Sequence, residues 1–371
     1  MKVKIEQKDF SQLLARSQNI VEKRNTMPIL VNVLLEAKDN KLTLFSTDLE
    51  VSLTDSVDAE ILEPGRSAVN AKSLFDIVKE LPSGELQIET LENHWMKVTM
   101  GTSEFNIVGI SPDEYPVFPT YNTDEFTQVE SKIFTEMIEK TIYSVSNDET
   151  RYHLNGVFFE KLKGSENSCR MVATDGHRLS VIDRDFGDKL AGIGGQGVII
   201  PRKGLNEIRK LIEGKDETFE MAVEGAQLIV RTGSTLLMIR LIEGKYPNYQ
   251  QLIPQSLKQS IRVRKDELYS TLKRVSLLSN QKSKGVTFAL SQGRMQVSSN
   301  NPEMGDAREE LEIDYKGEDF KIGFNAKYIL EALNSIGDET VTLEMNDQLS
   351  PGLVKPEADN NYTCVVMPMR I

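Results

Sequence analysis

The chain has 371 residues, of which 39% are hydrophobic and 27% are charged, and 44 basic against 56 acidic side chains give it a net charge of −12. This composition is typical of soluble globular proteins, the length predicts two or three domains of about 150 residues, and no apolar run reaches the roughly 18 residues of a membrane span. The acidic balance argues against binding nucleic acid by bulk attraction to phosphate, but it allows basic residues to gather on one face.

Cysteines and histidines are few. Cys169 and Cys364 lie among apolar, strand-like residues and belong to no CxxC pair, so we expect buried free thiols, as in a reducing cytosol. The three histidines have no metal-ligand spacing, and the opening residues MKVKIEQKDF lack the apolar core of a secretory signal peptide. We therefore expect a cytoplasmic protein that needs no metal or other cofactor.

The predicted elements begin with an amphipathic helix, whose apolar face is formed by Phe10, Leu13, Leu14 and Ile20. Two strand-like stretches, ILVNVLLEA and KLTLFSTDLEVSL, follow around the turn Asp39-Asn40. A second helix is predicted at residues 74–78, and further alternating stretches come after it.

The same order of elements occurs twice more. Ser131 is the predicted N-cap of the next helix, and the apolar residues of the two leading helices are Phe134, Met137, Ile138, Thr141 and Val145, and then Leu268, Leu272, Val275 and Leu278. The strand pairs turn at Gly164 and at Gln292-Gly293. The helices that follow them carry Leu205, Ile208, Leu211 and Ile212, and then Ile329, Leu333 and Ile336.

Three copies of one pattern predict three domains, at residues 1–124, 125–256 and 257–371. Each domain is expected to pack two helices on antiparallel sheet, which makes the fold class α+β. Because each domain is itself doubled, six half-units follow one another, and two such chains would close a ring with the helices on one face.

Several predicted helices are locally basic, although the net charge of the chain is negative. Residues 262–284 hold seven basic against two acidic side chains, residues 201–215 hold five against two, and Lys23-Arg24 ends the first helix. Any one of these helices could be an ordinary solvated face. The same bias in several copies of a repeat favours a face that holds DNA by its phosphates, without reading sequence.

Two stretches resemble catalytic or nucleotide-binding motifs. GIGGQG at residues 192–197 matches G-x-G-x-x-G, but a strand-like stretch rather than a helix follows it, so we interpret it as a loop. VATDGHRLSV at residues 172–181 places Asp175 beside His177, as a hydrolase would, yet no activated nucleophile accompanies them.

The repeat offers another explanation of this second stretch. Thr47-Asp48 precedes Thr174-Asp175 by 127 positions and is followed by no histidine, so the Thr-Asp pair is predicted to close a turn through its side chains. The segment Gly176-His177-Arg178-Leu179, special to the second copy, then predicts a recognition surface. A hydrolase using Asp175 and His177 is the alternative.

Several stretches resemble one known family, in order along the chain: TMPIL, STDLEV, RYHLNGVFFE, ATDGHRLSV, IIPRKG and the terminal VVMPMRI. They are similar to the bacterial sliding clamps, the beta subunits of DNA polymerase III, over the whole chain. The resemblance implies a non-enzymatic, head-to-tail homodimeric ring of three-domain clamp subunits, with helices lining the hole around double-stranded DNA and antiparallel sheets outside. It also implies that the ring tethers the replicative polymerase and other replication and repair proteins, and that a clamp loader opens it.

The resemblance further implies site residues. A pocket between the second and third domains would bind a short partner peptide, with glutamine near one end and leucine and phenylalanine near the other, through Leu154, Thr174, Gly176, His177, Arg178, Leu179, Pro247, Val365, Val366, Met367, Pro368, Met369 and Arg370. The DNA-contact residues implied by the resemblance are Arg24, Tyr152 and His153, and the basic segment 201–215 adds Arg202 and Lys203 to the predicted DNA contacts. The subunit interface would include Phe105, Leu277 and Leu278. The chain departs from the family pattern at Gln251, His153 and Asp148.

Overall fold

The computed structural model describes residues 1–21, 27–187, 190, 193, 197–214, 217–254 and 257–370. These described residues form six α-helices, one for each helix predicted from the sequence. The helices are α1 Gln7–Ser17, α2 Ala71–Glu80, α3 Ser131–Glu139, α4 Arg202–Ile212, α5 Lys265–Val275 and α6 Ala326–Asn334.

The helix ends differ from the sequence-based prediction. Ile20 and Val145 are buried, as their spacing predicts, but both lie beyond the last α-helical residue, and Leu278 lies in a 3-10 turn, Ser276–Leu278. The predicted cap is also wrong, because the hydroxyl of Ser131 has no hydrogen-bond partner among the described residues. The backbone amide of Ser131 instead donates to the carbonyl of Glu217 at 2.9 Å.

The strands are numbered in chain order. The first eleven are β1 Lys2–Glu6, β2 Asn32–Lys38, β3 Lys41–Thr47, β4 Val51–Asp58, β5 Glu60–Glu63, β6 Gly65–Asn70, β7 Glu85–Thr90, β8 Met96–Met100, β9 Ser103–Ile107, β10 Gly109–Ile110 and β11 Thr127–Glu130. The next seven are β12 Gly156–Lys161, β13 Ser168–Thr174, β14 Arg178–Asp185, β15 Val198–Pro201, β16 Thr218–Glu224, β17 Gln227–Thr232 and β18 Thr235–Arg240. The last eight are β19 Gln259–Arg264, β20 Gly285–Ser291, β21 Arg294–Asn301, β22 Gly305–Glu312, β23 Phe320–Asn325, β24 Thr340–Met345, β25 Gly352–Pro356 and β26 Tyr362–Val366.

The chain folds as two compact units, of which the first comprises residues 1–131, 188–194 and 203–241. It contains a five-stranded antiparallel sheet, β5-β1-β7-β8-β9, and a nine-stranded one, β10-β6-β2-β3-β4-β18-β17-β16-β11. Asp39 and Asn40 both have positive φ in the β2–β3 hairpin, as the predicted tight turn requires. Strands of the first and second repeats meet where β4 pairs with β18.

The second unit comprises residues 132–187, 195–202 and 242–371. Its eight-stranded antiparallel sheet has the order β15-β12-β13-β14-β26-β25-β24-β19, and its four-stranded sheet has the order β22-β21-β20-β23. Cys169 and Cys364 are buried free thiols, as predicted, and burial raises the pKa of both. None of the described helices is long and apolar enough to cross a membrane.

Candidate docking site and DNA-contact residues

The turn between β13 and β14 is closed by its Thr-Asp pair. Oδ1 of Asp175 accepts hydrogen bonds from the amides of His177 at 2.9 Å and Arg178 at 3.1 Å. The hydroxyl of Thr174 donates to the carbonyl of Arg178 at 2.6 Å and accepts from the amide of Gly176 at 3.1 Å. Both side chains are therefore bound to local backbone, as the turn interpretation predicts, and the hydroxyl proton of Thr174 is directed at a carbonyl rather than at His177.

The same turn occurs in the first repeat. Oδ1 of Asp48 accepts from the amides of Glu50 at 2.9 Å and Val51 at 2.7 Å, and the hydroxyl of Thr47 accepts from the amide of Leu49 at 3.0 Å. Because this copy has no histidine, the carboxylate is needed for the turn whether or not a histidine follows it.

Gly176 and His177 form the exposed tip of the second-repeat turn. Gly176 has a φ of +89°, a left-handed conformation that favours glycine, whereas the nearest atom to an added Cβ, Nη1 of Arg151 at 2.8 Å, is the end of a flexible side chain. The ring of His177 stacks on that of Tyr328, with ring centroids 6.4 Å apart. The tip therefore presents an exposed glycine and one exposed imidazole.

Arg178 lies beneath this tip and is only 8% exposed. Its Nε donates to Oδ2 of Asp175 at 3.1 Å, Nη1 pairs with the carboxylate of Glu331, and Nη2 donates to the carbonyl of Tyr143. The guanidinium also lies 4.6 Å from the ring centroid of Tyr328. The structure thus makes Arg178 an internal anchor, and its partners Tyr328 and Glu331 on α6 belong to the candidate site, although no local sequence pattern indicates them.

The last strand places the C-terminal segment beside the turn. In the pairing of β26 with β14, Val365 lies opposite Leu179. Beyond the strand, the amide of Met367 donates to the carbonyl of His177 at 2.9 Å, and the amide of Met369 donates to β23 at 2.8 Å. The exposures in this segment differ: Val366 is buried, Pro368 and Met369 are half-buried, and Met367 and Arg370 are exposed.

The apolar residues predicted for the pocket belong to one hydrophobic cluster. Its members are Leu154, Val172, Leu179, Val181, Ile199, Ile242, Tyr246, Tyr249, Leu353 and Val365. We call Leu154, Leu179 and Val365 the docking floor, because each is buried, and Gly176, His177 and Met367 the docking rim, because each is exposed. Pro247, which is half-buried, accepts from the amide of Tyr249 at 2.8 Å. Side chains from four separate stretches of sequence thus meet at one site.

The predicted DNA-contact residues have different surroundings. Tyr152 is 53% exposed and His153 is half-buried, both on the 3-10 turn Glu149–Leu154. Asp148 caps this turn by accepting from the amide of Thr150 at 3.0 Å. Arg24 lies outside the described residues.

Arg202 holds the start of the segment that leads into this turn. Its Nη1 donates to Oδ1 of Asn147 at 2.8 Å and its Nη2 to the carbonyl of Val145 at 2.8 Å, while burial lowers the pKa of the guanidinium. In the first unit, Lys203 forms an ion pair with Asp48. Both predicted DNA-contact cations therefore have protein partners.

The predicted interface residues are exposed apolar side chains. Phe105 is 37% exposed on β9, the edge strand of the five-stranded sheet. Leu277 is 71% exposed and Leu278 is half-buried, in the turn that follows α5. Exposed leucine and phenylalanine next to an open strand edge are typical of surfaces that other chains cover.

Comparison with known proteins identifies the family. Models of the DNA polymerase III beta subunit match in succession: the N-terminal domain at residues 1–119, the central domain at 128–248 and the C-terminal domain at 250–370. The Beta sliding clamp of Caulobacter vibrioides is 34% identical and that of Escherichia coli K12 is 32% identical, with 100% of each chain covered. The chain belongs to the DNA polymerase III beta subunit family.

Solved structures agree with this assignment. The DNA polymerase III subunit beta of Pseudomonas aeruginosa is 31% identical, with a TM-score of 0.94, and all of both chains is covered. A DnaN sliding clamp of Bartonella birtlesii bound to griselimycin is 29% identical, with the same TM-score and coverage. The fold is therefore three clamp-type domains of helices and antiparallel sheets, as predicted.

Membership of this family gives the function in outline. The chain is a DNA sliding clamp, a non-catalytic processivity factor of DNA polymerase III, and binding to DNA and polymerase and dimerisation belong to that role. The hydrolase alternative is wrong, since the family is non-catalytic and Asp175 and Thr174 are occupied in closing a turn.

Proposed function

We propose that the docking floor and rim form the pocket through which this clamp holds a short peptide of the replicative polymerase, of other replication and repair proteins, and of a clamp loader. The observation that carries the proposal is the convergence of residues near positions 154, 176, 247 and 367 on one apolar cluster with an exposed edge. Partner sites commonly combine a buried apolar centre with a few placed polar groups.

The chemistry of the proposed pocket matches a peptide with leucine and phenylalanine near one end. The aliphatic floor would receive these side chains, and Met367, an unbranched residue that is 36% exposed, can repack around them. The exposed imidazole of His177 offers such a peptide one polar group. Arg178 keeps the tip in place rather than contacting the peptide with a free charge.

Two chains are proposed to join head to tail into a ring around double-stranded DNA in the cytoplasm, with Phe105 of one chain facing Leu277 and Leu278 of the other. Tyr152 and His153 are proposed to contact DNA directly, together with Arg24. Arg202 supports that role by holding Asn147 at the base of their segment. Contacts of this kind position DNA without reading its sequence.

The pocket is tested by fluorescence anisotropy of a labelled Gln-Leu-x-Leu-Phe peptide on the full-length dimer. We expect saturable binding that weakens about tenfold in Met367→Ala, since loss of a large apolar contact costs on the order of 1.4 kcal/mol. Met304→Ala is the matched control, because Met304 is an exposed methionine, at 50%, in the turn between β21 and β22. No binding by the intact dimer, or equal weakening in both variants, would overturn the pocket assignment.

The DNA contacts are tested by retention on nicked circular DNA after loading. Tyr152→Glu places a carboxylate where phosphate is proposed to pass, so we expect faster loss from the circle. Leu349→Glu introduces the same charge at another exposed site of the second unit and is expected to behave as the unaltered protein. Identical retention of the two variants would remove Tyr152 from the DNA surface.

A further inference from the structure

The first unit contains a groove beside its own Thr-Asp turn. The groove has a volume of about 320 Å³ and is lined by residues of the turn, of the 116–119 segment and of β18. Its lining includes Leu49, Glu50, Val117, Met238 and Arg240. All of these residues belong to the first unit.

The backbone around this groove reproduces that of the docking pocket. The amide of Arg240 donates to the carbonyl of Glu50 at 2.8 Å, just as the amide of Met367 donates to that of His177 at 2.9 Å. Glu50 and His177 are 127 positions apart, as are the two Thr-Asp pairs. The groove therefore occupies, in the first repeat, the place that the proposed pocket occupies in the second.

Each site also has a buried tyrosine whose hydroxyl donates to a backbone carbonyl. The hydroxyl of Tyr115 donates to the carbonyl of Asn32 at 3.1 Å and to that of Phe45 at 3.5 Å. The hydroxyl of Tyr246 donates at 3.3 Å to the carbonyl of Val172, which lies 127 positions after Phe45. Each tyrosine is followed by a half-buried proline, Pro116 or Pro247.

Leu49 is held in a strained conformation at the wall of the groove. Its φ is +77°, a left-handed value that costs free energy for a leucine, whereas the matching position in the second repeat is Gly176, at φ +89°. Leu49 is also 49% exposed, so burial does not offset the strain. Strain of this kind at an exposed apolar side chain is characteristic of binding sites.

The rim of the groove carries one acidic and one basic side chain. Glu50 and Arg240 are both exposed. Val117 is 96% exposed beside them. A guanidinium next to an apolar wall favours a ligand with a carboxylate next to an apolar side chain.

We propose that this groove is a second docking site, for a short extended peptide of a partner protein that places an apolar side chain against Leu49 and Val117 and an acidic side chain against Arg240. The proposal rests on the proposed function only for the mode of docking. The specificity of this second site differs from that of the docking pocket, because Arg240 selects a peptide with an acidic side chain. In the second repeat the position of Arg240 is occupied by Met367.

The test is methyl NMR of the full-length dimer labelled at methionine, with Met238 reporting the new groove and Met367 the docking pocket. The probes are Ac-Gln-Leu-Asp-Leu-Phe-NH2 and its counterpart with lysine in place of aspartate. We expect the acidic peptide to shift both resonances, and Arg240→Glu to weaken the Met238 response about tenfold while leaving Met367 unchanged. Leu49→Gly, which removes the apolar wall and the strain, should also weaken only the Met238 response.

The outcomes separate the two proposals. If Met367 responds and Met238 does not, the second site is wrong and the docking pocket stands. If only Met238 responds, the docking pocket is wrong and the second site stands. A Met238 response that is the same for both peptides, or that survives Arg240→Glu unweakened, would overturn the assigned ligand chemistry.

Discussion

Arg178 on β14 and Glu331 on α6 form an ion pair directly behind the docking rim. The same guanidinium donates to Asp175, which closes the turn, and lies over the ring of Tyr328, on which His177 stacks. One buried cation therefore connects the turn that carries the rim to the helix behind it. The position of the rim depends on this contact rather than on the turn alone.

Arg178→Ala is expected to lower the free energy of unfolding by about 2–4 kcal/mol, because the largely buried Asp175 loses its counter-charge and Glu331 keeps only its longer ion pair with Lys327, at 3.8 Å. Urea denaturation followed by circular dichroism measures this change. Arg274→Ala is the control, since the pair of Arg274 with Glu309 is solvent-exposed and such pairs contribute little to stability. Equal losses in the two variants would contradict the anchoring role of Arg178.

The six helices and the Thr-Asp turns are predictable because their signals are local. Apolar residues three and four positions apart predict a helix, and Thr174-Asp175 needs only its own neighbours to close a turn. The helix ends are less predictable, since spacing reports burial and not backbone hydrogen bonding. Ile20 and Val145 are buried but lie past the helix ends.

Ion pairs between residues that are far apart in the sequence cannot be predicted from local sequence patterns. Arg178 and Glu331 are 153 positions apart, and nothing near either residue indicates the other. Lys203 is a basic residue at the start of a basic helix, which is why it is predicted to contact DNA, yet its ammonium pairs with Asp48. Family resemblance named the residues of the pocket, but only the structure divides them into a buried floor and an exposed rim.

Leu49→Gly is expected to change the free energy of unfolding by less than about 1 kcal/mol, in either direction. Relief of left-handed strain, on the order of 1–2 kcal/mol, offsets the extra freedom that glycine gives the unfolded chain. Leu62→Gly, at a similarly exposed leucine on β5 without positive φ, lacks that relief and should lose about 1 kcal/mol. Thermal unfolding of both variants decides the matter, and a larger loss for Leu49→Gly would show that Leu49 is not strained.

A cluster of four charges in the second unit makes stability depend on acidity. The hydrogen bond from Arg184 lowers the pKa of Glu136. Burial alone would raise the pKa of Asp359, but hydrogen bonds from Arg184 and the backbone amide of Asn361 outweigh it and lower the pKa. Lys140 contacts both carboxylates, at 2.8 Å and 3.2 Å.

The pKa values of Glu136 and Asp359 are lower in the folded protein than in the unfolded chain. The stabilisation by this cluster is therefore complete above the unfolded pKa values of about 4, and it is lost as the pH falls through the folded pKa values. We expect the double variant Glu136→Gln, Asp359→Asn to lose on the order of 1 kcal/mol at pH 7 and to show a flatter decline between about pH 5 and pH 3. Urea midpoints across this range measure the slope. Glu114→Gln, at an exposed carboxylate, is the control and should keep the original slope.

Leu277→Asp is expected to convert the dimer to monomers at micromolar concentration. Burying a carboxylate in an apolar subunit interface without a counter-charge makes the free energy of association less favourable by several kcal/mol, whereas a carboxylate that stays in water does not change it. Leu349→Asp is a closely matched control, since Leu349 is 70% exposed against 71% for Leu277 and lies in the same unit. Sedimentation velocity distinguishes the two states directly. A dimer that survives Leu277→Asp but not Leu349→Asp would show that the interface does not include the turn after α5. Loss of the dimer in both variants would show that either substitution disrupts the unit itself.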